Sequence, residues 1–225
     1  MLACSWSGGK DGCFAYWMTI NDGHEIGCLL NTYRSESNRV AFHGVRSKLI
    51  VEQARSIGIP LLQIAVAGED YESQFLAALR RLKRDGVGGI VFGDIDVKQN
   101  RDWCEHISRK AGLDAYFPLW NMDQKTILKD FLRDGFKAVI VALDSQHLKK
   151  EDLGRSVDLT WIQYIDSISK GPDGKTVTYC GENGEYHTYV YYGPIFNKPV
   201  SIKSSEIVSK QGYWLLDLEP VCTTP

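Results

Sequence analysis

Gly8 and Gly9 stand between a short apolar run and a stretch of helical length, with a lysine and an aspartate directly behind them (residues 4–12, CSWSGGKDG). A strand must end there, the chain must turn sharply, and a helix must begin, all within a few residues. Without a Cβ, the two glycines open backbone conformations closed to other residues and let the main chain come close to a ligand. The run CFAYWMTI that follows has helical composition. Its first amides would point back at the turn, and a helix N-terminus attracts anions. Phosphate is the expected guest, with Ser5, Ser7, Gly8, Gly9, Lys10, Asp11 and Gly12 as its contacts. A plain glycine-rich turn closing a strand–helix unit is the alternative reading.

Two widespread phosphate motifs do not fit. A Walker A loop requires a glycine five residues before the Gly-Lys pair and a Ser or Thr after the lysine. Here Cys4 and Asp11 occupy those places, and no G-x-G-x-x-G occurs. SGGKDG instead resembles the SGGxDS loop of the N-type ATP pyrophosphatases, the PP-loop enzymes. That resemblance implies ATP and Mg²⁺ as cofactors and cleavage between the α and β phosphates, leaving AMP and pyrophosphate.

At 225 residues the chain suits one large domain or two modest ones. Its 44% hydrophobic and 24% charged residues are those of an ordinary globular protein. A formal net charge of -2 carries no overall basic field, so no nucleic-acid partner is expected. The basic run RRLKR at residues 80–84 reads as a solvated helix face complementing the C-terminal dipole. The chain opens on LACSWS, without a basic leader, and holds no apolar run long enough to span a bilayer. The six cysteines are scattered with no C-x-x-C, so reduced thiols and a cytoplasmic location are expected, with no zinc or iron–sulfur site.

Short apolar runs alternate with amphipathic ones through the first half, the mark of parallel strand–helix units. Strands are expected at LACSW, EIGCLLNTY, LLQIAV, GGIVFGDI and KAVIVALD. Helices are expected over residues 12–20, 45–57, 71–85, 101–111 and 122–134. After Asp144 the sequence turns charged, then helical, then aromatic and β-rich through TVTYCGENGEYHTYVYY, with further strands at PVSIK and YWLLDLEPV and a frayed tail at CTTP. The expected fold is α/β, a doubly wound, mainly parallel sheet of the PP-loop, Rossmann-like kind, with a second, smaller α+β domain. The division is expected near Ser145, giving an ATP-binding part (1–145) and a substrate part (146–225).

Ligands of such sheets bind beyond the carboxyl ends of the strands, where strand order reverses. Asn31 and Thr32, Gly93 and Asp94, and Asp144 all stand at expected strand ends, with Arg101 soon after. Asp94 is the candidate Mg²⁺ ligand and Arg101 a candidate phosphate or substrate clamp. His43 precedes a helix and is read equally well as a phosphate contact or as a capping or surface histidine. Taken singly, each is as well explained by capping or surface pairing; together they point to one cleft.

The most specific segment is CGENGEYHTYVYYGPIF, residues 180–196. Two carboxylates, Glu182 and Glu185, flank a turn that opens a strand alternating Tyr186, Thr188, Val190 and Tyr192 on one face. With SGGKDG, VFGDI…R.W and EDLGRSVD, this segment resembles the diphthine–ammonia ligase family, whose signature here runs approximately G-E-G-G-E-[FY]-E-T…G-P-[LI]-F. The resemblance covers essentially the whole chain in order. It implies that ATP adenylates the carboxylate of diphthine, a modified histidine on elongation factor 2, and that ammonia displaces AMP. Lys10, Asp11, Glu182 and Glu185 are then the expected catalytic residues. Gly154, Gly181, Gly184, Tyr186 and Thr188 join Arg101 and Asp144 as expected substrate contacts. A homodimer is left open.

This chain departs from the pattern at Gly12, where the PP-loop has Ser, at Asn183, which replaces Gly, and at His187, which replaces the last Glu. Two other readings compete. A tRNA-thiolating PP-loop enzyme would need a sulfur-carrying cysteine and an RNA-binding face; a non-catalytic adenine-nucleotide module would have no use for Lys10, Asp11 and the acidic turn.

Overall fold

The fold is described here from a computed structural model covering residues 1–41, 43–168, 177–210 and 212–221. The expected tail at 222–225 lies outside the described residues, as does Thr176 at the head of the β-rich run.

The first part runs β1 (Leu2–Ser5), α1 (Lys10–Asn21), β2 (Ile26–Arg34), β3 (Arg39–Val40), α2 (Ser47–Ile57), β4 (Leu61–Val66), α3 (Tyr71–Arg84), β5 (Gly89–Val91), α4 (Lys98–Ala111) and β6 (Asp114–Tyr116). Parallel pairs join β4 to β2, β2 to β1, β1 to β5 and β5 to β6, and β3 adds a short antiparallel pair on β2. The chain moves one way from β1 through β2 and the other way through β5, so strand order reverses at β1. The loop after β1 therefore opens at the switch point.

Helices cover both faces of this sheet. On one side α3 and α4 bury Phe75, Leu79 and Ile107 against Ala3, Leu30 and Ile90. On the other, α1 and α2 contribute Phe14, Leu49 and Ile50. In α2 the buried residues Leu49, Ile50, Gln53 and Ala54 recur at helical spacing, and the helix stops at Gly58, whose φ of 82° is left-handed.

The second part holds α5 (Gln124–Arg133), β7 (Lys137–Asp144), α6 (Leu159–Ser167), β8 (Tyr186–Tyr192), β9 (Ile202–Lys210) and β10 (Tyr213–Pro220). Here the structure corrects an expectation. β7 is not the fifth strand of the parallel sheet but an inner strand of a second, antiparallel sheet ordered β8-β7-β10-β9. Its unbroken apolar run, buried from Ala138 to Leu143, suits either setting, because both are covered on two faces. The change of sheet thus falls ahead of β7 rather than near Ser145. The two short strands β3 and β6 also escaped the sequence reading, being only two and three residues long.

One apolar cluster runs from the α1–α2 face into the second sheet, taking in Val139, Ile140, Tyr189 and Val190. Phe14 meets Phe131 and Phe136 edge-on, each pair with centroids 6.2 Å apart, contacts worth about 0.5–1.5 kcal/mol beyond the area they bury. The two sheets meet directly at the glycine turn. Val190 N–H donates to the Gly8 carbonyl at 2.9 Å, and Lys10 N–H donates to Thr188 Oγ1 at 3.0 Å.

Candidate active site

Gly8 and Gly9 are required by geometry as well as by flexibility. Gly8 has φ 83°, and a Cβ there would lie 2.7 Å from Ile50 Cδ1 and 2.8 Å from Gln53 Oε1. A Cβ on Gly9 would overlap the His43 ring. Gly93, at the end of β5, presses on the first turn of α1, where an added Cβ would stand 2.7 Å from Gly12 N. The turn is held from below by Gln53, which is fully buried. Its amide donates to Gly8 O at 3.1 Å and Val190 O at 2.6 Å, and its oxygen accepts from the Trp6 indole at 2.8 Å.

Helix α1 begins at Lys10, two residues earlier than expected, with Gly9 as its cap. The Lys10 ammonium does not stand free in solvent. It is 3% exposed, pairs with Asp11 Oδ2 at 2.9 Å, donates to the Cys180 carbonyl and lies 4.9 Å above the Tyr186 ring. Burial pushes its pKa down, but the neighbouring Asp11 carboxylate outweighs that and keeps it charged. Asp11 Oδ1 is buried without a partner.

Above the turn opens a cavity of about 530 Å³. One wall carries Ser5, Ser7, Lys10, Asp11 and Gly12, with Gly93 and Asp94 from the end of β5. The facing wall is the turn before β8 and the start of that strand: Gly181, Glu182, Gly184, Tyr186, His187 and Thr188. Burial, reinforced by Asp11, pushes the Glu182 carboxyl up to about 8. A second cavity of about 140 Å³ shares Ser5, Ser7 and His43 with the first. Trp6, Leu30, Asn31, Thr32, Tyr71 and Phe75 give it a largely apolar lining.

His43 sits where the two cavities meet. Its Nδ1 is 3.1 Å from the Thr188 carbonyl, which can only accept, so Nδ1 carries the proton and Nε2 keeps its lone pair. The His187 ring lies 4.7 Å away. Burial holds His43 down to about 4 and His187 well below its ordinary value, so both rings are neutral near pH 7.

Two family models divide the chain between them. That for the diphthamide synthase N-terminal domain matches residues 1–115, and that for the diphthamide synthase C-terminal domain matches residues 123–220. The chain belongs to the diphthamide synthase family. Curated relatives named diphthine–ammonia ligase are 28% identical in Homo sapiens and 27% in Mus musculus, each over 90% of this chain and 82% of the relative. The Schizosaccharomyces pombe relative of the same name is 26% identical over 90% of this chain, which spans only 36% of its length. Among solved structures, one titled as a predicted subunit of tRNA methyltransferase from Methanocaldococcus jannaschii aligns with TM-score 0.45 and 14% identity over 88% of this chain and 99% of that chain.

Within this diphthamide synthase fold, most of the residues singled out from sequence do converge on the two cavities, and six do not. Gly8 and Gly9 line neither cavity and instead pack against Ile50, Gln53 and His43. Glu185 is turned inward, 1% exposed; it accepts from Thr178 N at 2.7 Å and Asn183 N at 2.9 Å and so shapes the turn that presents Glu182. Asp144 caps its own strand end, bonding Gln146 N at 2.9 Å and His147 at 2.9 Å. Arg101 pairs with Glu105 at 2.7 Å and stacks over Trp120 and Phe117, while its neighbour Asn100 lines the cleft. Gly154 makes a left-handed turn against Leu216, and the EDLGRSVD motif around it is held by Asp152, bonded to Arg155 at 2.9 Å and Tyr164 at 3.0 Å. Sequence reading missed Gln53, Asn100 and Tyr213. Only Gln53 left a signal, as a polar residue on the apolar stripe of α2.

Proposed function

We propose that this protein is an ATP-dependent ligase that adenylates a carboxylate and passes the acyl group to ammonia, releasing AMP and pyrophosphate. The observation that carries this reading is the cleft itself. The start of α1, Lys10 to Gly12, and an acidic turn more than 160 residues away in sequence line one cavity, about 530 Å³ in volume. The smaller, apolar cavity suits an adenine ring and the larger one the triphosphate and acceptor. The family resemblance and the names of the relatives point to diphthine on elongation factor 2 as that acceptor.

In this reading the Asp11 and Gly12 amides of α1 and the Ser7 hydroxyl bind the phosphates, the Lys10 amide being taken by Thr188, and the buried Lys10 keeps a fixed positive charge beneath them. Such preorganised charge is worth more in a partly dry cleft than in water. Among the described residues no three His, Cys, Asp or Glu side chains are grouped to hold a metal ion. Mg²⁺ at nucleotide sites, however, takes only one or two protein carboxylates beside phosphate oxygens and water. The orphaned Asp11 Oδ1 and Asp94 in the same wall fit that share. When bound, the ion would neutralise the leaving pyrophosphate. Glu182 faces the acceptor side. A carboxyl pushed up to about 8 is ionised on the alkaline side of that value, where it suits a base that takes up the proton ammonia releases as the amide forms. Cys180, the one described cysteine lining the cleft, has its thiol pushed up by burial, which disfavours a sulfur-transfer reading.

Incubation with ATP, Mg²⁺, ammonium and a diphthine-bearing acceptor should yield AMP and pyrophosphate in proportion to amide, resolved by chromatography and mass spectrometry. ADP and phosphate as the main products would sink the reaction class; AMP formation independent of ammonium would sink the amide assignment. Glu182→Gln should keep nucleotide affinity and lose most amide formation.

A further inference from the structure

The turn that carries His43 is closed by its own backbone. Val40 N–H donates to Val45 O at 2.9 Å and Gly44 N–H to Val40 O at 3.0 Å. What fixes this turn in space comes from the other end of the chain. Asp217, midway along β10, is 1% exposed. Its carboxylate accepts from Arg46 Nε at 3.0 Å and Arg46 Nη2 at 2.5 Å, from Arg39 Nη2 at 2.8 Å, and from Ser205 Oγ at 3.1 Å. Arg39 in turn donates through Nη1 to the Gly44 carbonyl at 2.7 Å. One carboxylate therefore holds the residue before the turn and the residue after it, and one of the two arginines also holds the turn's backbone.

The alternative role for two arginines so near a phosphate cleft is to bind phosphate themselves. Their charge is already committed. Arg39 pairs with Asp217, and Arg46 with Asp217 and with Glu219 at 3.1 Å, a carboxylate that Lys203 also reaches at 3.4 Å, and neither arginine lines either cavity. The hydrogen bond from Arg46 holds Asp217 down to about 2, so the clasp stays charged at any ordinary pH. Paired, forked contacts of this kind fix direction as well as distance.

We propose that Asp217 is a positioning residue of the cleft, holding His43 between the two cavities through Arg39 and Arg46. This makes a strand of the second sheet responsible for a contact formed by the first, and it rests on the nucleotide reading above only for its effect on binding.

The test follows His43 itself. The groups facing its ring are the Thr188 carbonyl, His187 and Lys10, all unchanged in Asp217→Asn. His43 should titrate near 4 in the wild type by NMR and move toward its ordinary 6.5 in Asp217→Asn as the ring loosens into water. Affinity for a non-hydrolysable ATP analogue, measured by calorimetry, should fall about three- to tenfold in Asp217→Asn and in His43→Ala, with no further loss in the double variant. Arg39→Gln, which frees the Gly44 carbonyl while leaving Arg46 on Asp217, should give the same two shifts and serves if Asp217→Asn does not fold. Unchanged His43 titration in a folded variant, or losses that add in the double variant, would overturn the proposal. If no form binds the analogue while His43 still responds to Asp217, the positioning role stands and the nucleotide reading falls.

Discussion

Three side chains at the mouth of α1 show how burial sets chemistry residue by residue. Lys10 keeps its charge because Asp11 sits 2.9 Å away, whereas burial, helped by the Lys10 charge, discharges His43 even though the Thr188 carbonyl favours its protonated form. A pH dependence follows. In the unfolded chain His43 binds a proton near 6.5, but folded it does so only near 4. At this site the unfolded state therefore holds more protons between those values, so the His43 contribution to stability should fall as pH drops from 6.5 to 4. Urea denaturation across that window should show the wild type losing stability relative to His43→Ala. Gly8 makes a second case at this scale. Gly8→Ala forces a side chain into a left-handed φ and against Ile50, at a cost of about 1–3 kcal/mol. It should lose nucleotide binding even where it still folds, as calorimetry would register.

Among the elements, α2 does more than cover the sheet. It delivers Gln53 into the apolar interior, where three hydrogen bonds tie β1, the glycine turn and β8 together. Replacing Gln53 with Leu strands the Trp6 N–H and the Val190 carbonyl in a dry core, and we expect a loss of about 2–4 kcal/mol by denaturant titration. Ordinary surface positions on the same helix, such as Lys48, should change stability by less than about 0.5 kcal/mol. The β5 end acts on α1 by contact alone. Gly93→Ala would push on Gly12 N and Asp11 C, displacing the helix start at about 1–3 kcal/mol.

At the scale of the whole molecule, neither sheet owns the cleft. The parallel sheet supplies the switch point, the antiparallel sheet supplies the acidic turn, and β8 pairs its free edge with the glycine turn. A ligand seated there touches both parts, so it should stabilise them as one unit. At a hundredfold excess over its Kd, ATP should add about 2.7 kcal/mol. That corresponds to roughly 5–11 °C in the melting temperature of a chain this size. Differential scanning calorimetry should show a single transition moving intact; a transition that splits, with only one part shifted, would place the ligand on one sheet alone.

The parallel strand–helix units, the glycine turn and the identity of the acidic turn were all legible in the chain, because each is written in local spacing: apolar runs of strand length, glycines where no Cβ fits, and a helix start behind them. Sheet membership was not. β7 reads the same whether its neighbours run parallel or antiparallel, since a strand buried on both faces is apolar throughout. Nor could spacing show that Glu185 turns inward while Glu182, three residues before it, faces the cleft. The roles of Gln53 and Asp217 lay furthest from reach. Apart from Ser205, their partners stand 45 to 178 positions away, and only the folded chain brings a buried polar group and its distant partners within hydrogen-bonding distance.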